Sequence, residues 1–169
     1  DYRDLSGQFD KLVSIEMIEA VGYNYIQKFF QVCSSLLKPD GLMAFQGITY
    51  HEQGFEDHLN QVDFIKKYIF PGSNLISVNH VLSTIKEFTD LSMVHLEDIT
   101  KHYAETLRLW RKKYMSVLPS IKSMGFSDEF LRIWEYYFIY CEAGFRERYI
   151  GDVQIVMAKP EKKDIQINY

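Results

Sequence analysis

The first part of the chain alternates between two kinds of apolar pattern. Phe9 to Ile15 and Leu42 to Ile48 are short runs rich in apolar and β-branched residues, and both predict buried strands. Between them an apolar stripe recurs at three- and four-residue spacing, which predicts an amphipathic helix on the sheet. Its members are Tyr25, Ile26, Phe29, Phe30, Cys33, Leu36 and Leu37. Pro39-Asp40-Gly41 is expected to end the helix, so the segment predicts a strand-helix-strand unit.

The remainder of the chain predicts an irregular polar segment, three longer helices and two more strands. The irregular segment is Tyr50 to Pro71, with a short helix through Val62, Ile65 and Ile69. The three longer helices are one capped by Ser77, one from Ser127 through Tyr149, and between them one with the apolar stripe Tyr103, Leu107, Trp110, Tyr114 and Val117. The two strands are Leu91 to Leu96 and Gly151 to Ala158. The helix after Ser127 is apolar almost all round. Such a helix is either covered by protein on all sides or lines an apolar ligand channel.

Composition narrows the class of protein. The 169 residues are enough for one domain with a sizeable core, and a net charge of −4 makes nucleic acid an unexpected partner. Cys33 and Cys141 lie within apolar helical patterns, which is typical of reduced core thiols. We see no signal peptide and no apolar run long enough to span a membrane, so we expect a cytoplasmic protein.

Two carboxylates follow the first predicted strand at its C-terminal end. Glu16 and Glu19 lie in SIEMIEAVG, Ser14 to Gly22. Open α/β sheets bind their ligands at the carboxyl ends of the strands. The sequence therefore predicts a site at this end of the sheet.

Several further segments, in the same order, resemble the cyclopropane-fatty-acyl-phospholipid synthase and mycolic acid cyclopropane synthase family of S-adenosylmethionine-dependent methyltransferases. After SIEMIEAVG they are LLKPDGLM, QGIT, VDFIKKYIFPG, HYAETLRLW and CEAGFRERYIGDVQ. The resemblance implies an α/β fold, namely the second half of a class I methyltransferase Rossmann-like sheet, strands 4 to 7 in the order 4-5-7-6. It also implies that residues 1–160 are the C-terminal part of a methyltransferase domain. Residues 50–75 would then be a helical insertion that builds a substrate channel, and residues 161–169 a frayed tail.

The cofactor site implied by the resemblance is only partly present. The family's glycine-rich turn and its ribose-binding acid have no counterpart in these residues, while Tyr2 and Ile15 fall where the family contacts S-adenosylmethionine. We therefore expect the isolated chain to bind S-adenosylmethionine weakly or not at all, and to be inactive.

The resemblance also implies a chemistry and a set of catalytic residues. In the family a cis double bond of an acyl chain attacks the methyl group of the cofactor, and a bound bicarbonate ion is thought to remove a proton from the resulting cation. The positions that match are Glu19, the Ile48 carbonyl and Tyr103, while Gln46 stands where the family has histidine. Glutamine can donate and accept hydrogen bonds but cannot titrate.

Each of these assignments has a simpler alternative. Glu19 could merely favour the positive end of the next helix, and Glu16 is a nearby competitor for its role. Tyr103 could be a core residue of its helix, and Gln46 could satisfy a backbone group at the strand end.

The resemblance implies the acyl chain of a phospholipid as the partner. A basic helix face could contact the inner face of the membrane peripherally, or it could simply be solvated. Its residues are Arg108, Arg111, Lys112 and Lys113. His51, Glu52 and His58 do not match a common ligand spacing, so we expect a solvated loop there and no metal. Two other functions stay open. One is a small-molecule N-methyltransferase, and the other is an inactive fragment whose uncovered first strand pairs with a second copy into a homodimer.

Overall fold

Four strands form one mixed sheet in the computed structural model, which describes residues 1–165. They are β1 (Phe9–Ile15), β2 (Leu37–Tyr50), β3 (Ser92–Asp98) and β4 (Ile150–Ala158), in the spatial order β1-β2-β4-β3. β1 and β2 are parallel, whereas β4 is antiparallel to both β2 and β3. This order confirms the expected second half of a class I methyltransferase sheet, 4-5-7-6.

Within the described residues, six α-helices connect or follow these strands. They are α1 (Ile18–Val21), α2 (Ile26–Ser35), α3 (Phe55–Asn60), α4 (Val78–Phe88), α5 (Thr100–Ser123) and α6 (Asp128–Arg146), with a π-helical turn at Ile65–Ile69 and 3-10 turns at Tyr2–Asp4, Tyr23–Tyr25 and Glu52–Gly54. The Ser77 hydroxyl accepts a hydrogen bond from the His80 N–H, and the Ser127 hydroxyl accepts one from the Phe130 N–H, both at 3.1 Å. Both predicted helix caps are confirmed.

Pro39-Asp40-Gly41 does not act as the predicted helix end. α2 already ends at Ser35, and β2 begins at Leu37, ahead of the Pro-Asp-Gly segment. The pairing with β1 steps from Phe9 opposite Leu37 to Lys11 opposite Leu42. A bulge therefore absorbs the three residues without ending the strand, because extra residues on one strand of a pair can loop out of the hydrogen-bond ladder.

The segment between β2 and α4 is more helical than predicted. α3 was not expected from the polar sequence of Phe55 to Asn60, but Phe55 and His58 are both buried and anchor it. The short helix expected through Val62, Ile65 and Ile69 appears as the π-helical turn Ile65–Ile69. A tertiary anchor thus stabilises α3 where local propensity is weak.

The two faces of the sheet carry different cores. The larger core lies under α2 and α4, and its largest fully buried side chains include Phe29, Phe30, Met43, Ile76, Ile155 and Met157. A smaller cluster under α5 and α6 contains Ala104, Leu107 and Phe145, with Ile48, Tyr103 and Ile150 packed against it. Successive side chains of a strand point to opposite faces. Gln46 therefore shares the face of Ile48, and Asp152 and Gln154 lie on that same face of β4.

α6 is not covered on all sides. Leu131, Phe138 and Phe145 are buried, but Phe130, Tyr136 and Ile139 are exposed by 37%, 49% and 40%. The Phe64 ring packs edge-on against Tyr136, with the ring centres 4.6 Å apart. The helix thus offers part of its apolar surface to the segment between β2 and α4 and leaves part of it open.

The end of the described chain is attached to the sheet. The Glu161 N–H donates to the Pro39 carbonyl at 3.1 Å, and the Lys159 N–H donates to the Gly41 carbonyl at 3.0 Å. The first residue of the predicted frayed tail is therefore hydrogen-bonded to β2, while residues 166–169 lie outside the described residues. Among the helices of residues 1–165, none combines the length and hydropathy needed to cross a bilayer.

The basic face of α5 is partly neutralised. Arg108 pairs with Glu105 at 2.6 Å, and Arg111 pairs with Glu135 of α6 at 3.2 Å. Exposed pairs of this kind contribute little to stability.

Candidate active site

Glu19 lies in the short helix α1, directly after the carboxyl end of β1. Its Oε1 accepts a hydrogen bond of 2.5 Å from the Ile48 N–H. Gly47 allows this approach, because a Cβ built there would lie 3.3 Å from Oε1 and 2.8 Å from the Ile18 Cγ2. The sequence pointed to the Ile48 carbonyl, but the contact that the structure shows is made by the Ile48 N–H.

The environment of Glu19 keeps its carboxyl partly protonated at neutral pH. Oε2 is buried and has no hydrogen-bond partner in the part of the chain that the structure describes. Burial raises the pKa of Glu19 to about 7, and the Ile48 N–H only partly opposes that shift. At neutral pH the side chain is therefore balanced between its neutral and its ionised form, as a group that exchanges protons should be.

Gln46 lies at the centre of a group of polar side chains beneath α5. Its Nε2 donates to Glu16 Oε1 at 2.7 Å and to Asp152 Oδ2 at 3.2 Å, and its Oε1 accepts from Gln154 Nε2 at 2.8 Å. Its side-chain partners are thus other side chains, rather than the strand-end backbone group of the simpler alternative.

Tyr103 of α5 faces the same carboxylates. Its ring packs against Phe145, with the ring centres 5.2 Å apart. Burial, and after it the negative charges of Glu16 and Asp152, raises the pKa of Tyr103 above its ordinary range. The hydroxyl therefore stays protonated and can donate a hydrogen bond. Tyr103 and Gln46 both lie close to Glu16 and Asp152, and the charge of Glu19 also acts on the Tyr103 hydroxyl.

The two residues predicted to contact the cofactor lie at the β1 edge. The Tyr2 ring packs edge-on against Phe29, with the ring centres 5.4 Å apart. It also lines an open cavity of about 400 Å³ together with Met17, Ala20, Val21 and Tyr25, and with Asp1 and Arg3 at its rim. Ile15 is 63% exposed. Their role at a cofactor stays a prediction.

Two further acidic residues, Glu16 and Asp152, lie in the site. Glu16, the competitor of Glu19, binds Gln46 and has a φ of 51°, a left-handed conformation that is uncommon outside glycine. Asp152 was treated only as part of the last strand, although an aspartate within the apolar run GDVQIVMA was a signal. It is 0% exposed, and its N–H donates to the Thr100 hydroxyl at 3.1 Å.

The histidines after β2 do not form the solvated loop that was expected. His58 is 5% exposed, stacks on Tyr50 with the ring centres 4.4 Å apart, and its Nε2 accepts from the Leu75 N–H at 3.3 Å. Burial lowers the pKa of His58 to about 4, so it is a neutral core residue. Within residues 1–165, no three His, Cys, Asp or Glu side chains are grouped as a metal ion requires.

Comparisons with known proteins agree with this geometry. The family model described as mycolic acid cyclopropane synthetase matches residues 1–155. The tuberculostearic acid methyltransferase UfaA1 of Mycobacterium tuberculosis is 41% identical over 91% of this chain and 36% of the relative. The cyclopropane-fatty-acyl-phospholipid synthase of Escherichia coli K12 is 30% identical over 99% of this chain and 42% of the relative.

A solved structure shows the same fold. The mycolic acid cyclopropane synthase CmaA1, complexed with SAH and CTAB, superposes with a TM-score of 0.83 at 25% identity, covering 94% of this chain and 58% of that one. The chain thus spans about two-fifths of the length of the curated relatives it matches. With its sheet order, its polar site under α5 and a family match over nearly its whole length, the chain belongs to the mycolic acid cyclopropane synthetase family of methyltransferases.

Proposed function

We propose that the full-length protein transfers a methyl or methylene group from S-adenosylmethionine to the cis double bond of a phospholipid acyl chain. The observation that carries the proposal is the 41% identity to a tuberculostearic acid methyltransferase across the residues that form this site. Similarity to a cyclopropane-fatty-acyl-phospholipid synthase supports the same substrate class.

The residues present fit S-adenosylmethionine, whose reactive centre is a cation. Glu16, together with Glu19 in its ionised form, provides negative charge at the end of β1, and the cavity beside Tyr2 and Met17 is open and bordered by apolar side chains. When bound, the cofactor supplies the electrophilic methyl group. Ile15, which is predicted to contact the cofactor, is exposed at the free edge of β1. We therefore propose that the isolated chain holds the cofactor weakly and is inactive.

The residues present do not fit bicarbonate. An anion needs hydrogen-bond donors, but the Ile48 N–H is committed to Glu19, and the Gln46 amide is committed to Glu16 and Asp152. The Tyr103 hydroxyl faces Glu16 as well. Three carboxylates around one small site also disfavour a further negative charge. No step is therefore assigned to that ion.

The residues of the chain have distinct roles in the proposed reaction. Glu19 and Glu16 stabilise positive charge that develops on the acyl chain, because opposite charge in a poorly solvated site is strongly favourable. Tyr103 donates a hydrogen bond that orients these carboxylates. The aromatic side chains Phe64, Phe70 and Tyr137, with Tyr136 and Tyr140, form an apolar wall along α6 that suits an acyl chain.

The proposal is tested by lipid analysis. The full-length protein is expressed in a bacterium that makes unsaturated phospholipids and is fed methionine with a deuterated methyl group. We expect mass spectrometry to detect labelled acyl chains that carry one added carbon. Unlabelled lipids together with a labelled amine product would instead indicate a small-molecule N-methyltransferase, and would contradict the proposal.

A matched pair of tyrosine variants ties the product to the site. Y103F removes a hydroxyl near Glu16, and we expect it to lower the yield of labelled lipid about tenfold or more, as loss of an active-site hydrogen bond does. Y114F removes a hydroxyl of the same helix that donates to the Leu131 carbonyl at 2.9 Å. This control should cost about 1 kcal/mol of stability and leave the product unchanged.

A further inference from the structure

Asp152 is an acidic side chain buried without a cationic partner in its hydrogen bonds. It is 0% exposed. Among residues 1–165, its Oδ2 accepts only the 3.2 Å hydrogen bond from Gln46, and its Oδ1 is buried without a partner. An ionised carboxylate in such a place is strongly destabilising unless it is paired or protonated. Asp152 must therefore either hold a proton or face a group that provides one.

The cross-strand register brings Asp152 to Gln46. Ile48 lies opposite Asp152, and Gln46 lies opposite Gln154, so the Gln46 and Asp152 side chains are diagonal neighbours on one face of the sheet. Gln154 donates to Gln46 Oε1, which points the Gln46 amide nitrogen at the two carboxylates. A single amide nitrogen thus joins Asp152 to Glu16.

Glu16 is held against this pair by its backbone. Its N–H donates to the Gln46 carbonyl at 3.1 Å, and its φ of 51° places the chain in the left-handed region. That conformation costs a non-glycine residue about 1 kcal/mol or more, and such strain concentrates at functional sites. Glu16 is half-buried, whereas Asp152 lies fully beneath it.

The charges around Asp152 favour one shared proton. Burial, followed by the charge of Glu16, raises the pKa of Asp152 well above its usual range. Glu19 of α1 adds to this effect. The Tyr103 hydroxyl on α5 faces both carboxylates, and the charge of Glu16 also acts on Tyr137 of α6. Burial and the nearby negative charge therefore favour a proton on Asp152, the buried member of the pair.

We propose that Glu16 and Asp152, joined by Gln46, form a carboxylate pair that accepts the proton lost by the substrate cation, in place of a bound anion or a titrating side chain at position 46. This inference rests on the proposed function. A C–H bond of the cationic acyl chain gives its electron pair to close a ring or to form a carbon–carbon double bond. The proton passes to a Glu16 carboxylate oxygen, and the pair returns it to water after product leaves.

The first experiment measures the pair itself, without turnover. Carboxyl carbons of the full-length protein are titrated by ¹³C NMR, with D152N used to assign the Asp152 resonance. We expect Asp152 to titrate well above the ordinary aspartate range, and its pKa to fall in E16Q. An Asp152 that titrates in the ordinary range, or that is unaffected by E16Q, would overturn the proposal.

The second experiment measures lipid methylation in buffer depleted of carbon dioxide. We expect the wild-type rate to be unaffected by added bicarbonate, and D152N and E16Q each to lower kcat about 100-fold or more while KM changes little, which is the size of a general-base contribution. D90N is the matched control. Asp90 binds Lys159 at 2.6 Å and Ser34 at 2.7 Å at the opposite end of the sheet, so this variant should keep its kcat.

The outcomes separate the two proposals. A rate that depends on bicarbonate, or a D152N variant with unchanged kcat, contradicts the carboxylate pair while leaving the lipid substrate intact. Absence of methylated lipid from the wild type contradicts the proposed function, and the NMR titration then still decides whether Glu16 and Asp152 share a proton.

Discussion

At the scale of single residues, Glu19 shows how position changes chemistry. Near a helix N-terminus a glutamate is ordinarily ionised and stabilising. Here Glu19 of α1 reaches the backbone of β2, one of its oxygens is buried without a partner among the described residues, and burial raises its pKa to about 7. The simpler alternative for this residue, a favourable interaction with the helix dipole alone, does not account for that rise.

The raised pKa of Glu19 predicts a pH dependence of stability. A carboxyl whose pKa is higher in the folded than in the unfolded state adds stability that is fully present below pH 4.5 and is lost as the pH rises through about 7. We expect the free energy of unfolding to fall by roughly 2–3 kcal/mol between pH 5 and pH 8, and E19Q to reduce that fall. Urea unfolding at both pH values measures it.

The comparison of E19Q with the wild type needs a control, because the raised pKa of Asp152 also lowers the free energy of unfolding as the pH rises. E129Q alters an exposed glutamate in the first turn of α6 and should keep the wild-type pH dependence. If E19Q showed the same loss of stability between the two pH values as the wild type, Glu19 would not be buried as described.

At the scale of secondary-structure elements, β2 builds the site by alternation. Met43, Phe45 and Gly47 face the core under α2 and α4, and Gln46 and Ile48 face α5. At Gly47 α1 approaches β2 closely, since a Cβ there would lie 2.8 Å from the Ile18 side chain. The absence of a side chain at one residue therefore sets the position of Glu19.

A pair of glycine variants on β2 tests this. G47A should displace α1, cost about 1–3 kcal/mol of stability through overpacking, and lower lipid methylation because Glu19 moves. G41A is comparably crowded, with Leu37 side-chain atoms 3.0 Å from the new Cβ, but it lies remote from Glu19. It should lose similar stability and keep its activity. Denaturant unfolding and the lipid assay measure both, and equal activity of the two variants would contradict the role of Gly47.

At the scale of the whole molecule, the sheet is open at one side. Within residues 1–165, β1 pairs only with β2, and it carries Val13 at 66% and Ile15 at 63% exposure. Edge strands with exposed apolar residues readily pair with other chains. The opposite edge strand, β3, ends in the charged residues Glu97 and Asp98.

We expect the isolated chain to associate through β1. V13K places a charge on this edge and should lower the apparent mass at high concentration, whereas M93K alters an exposed residue of β3 and should not. Light scattering across a range of concentrations measures the difference. A wild-type chain that stays monomeric at every concentration would contradict the prediction.

Much of the fold could be predicted from sequence because local patterns specify local structure. The apolar run of β1, the stripe of α2 and the caps Ser77 and Ser127 each depend on neighbours a few residues away, and the strand, the helix and both caps were confirmed. The expectation that β1 is buried was wrong, because β1 lies at the edge of the sheet and exposes Val13 and Ile15. The family motifs also predicted that Glu19, Gln46 and Tyr103 belong to one site, and their catalytic roles stay a prediction.

Tertiary structure alone decided which polar groups are buried against one another. Gln46 and Asp152 are 106 residues apart, and only the antiparallel insertion of β4 between β2 and β3 makes them neighbours. The same packing gives Glu16 its left-handed backbone and leaves Asp152 Oδ1 without a partner. Burial and charge proximity, which set a pKa, depend on contacts between distant segments, so the sequence determined the elements and their motifs, whereas the pairing of strands determined the acid–base character of the site.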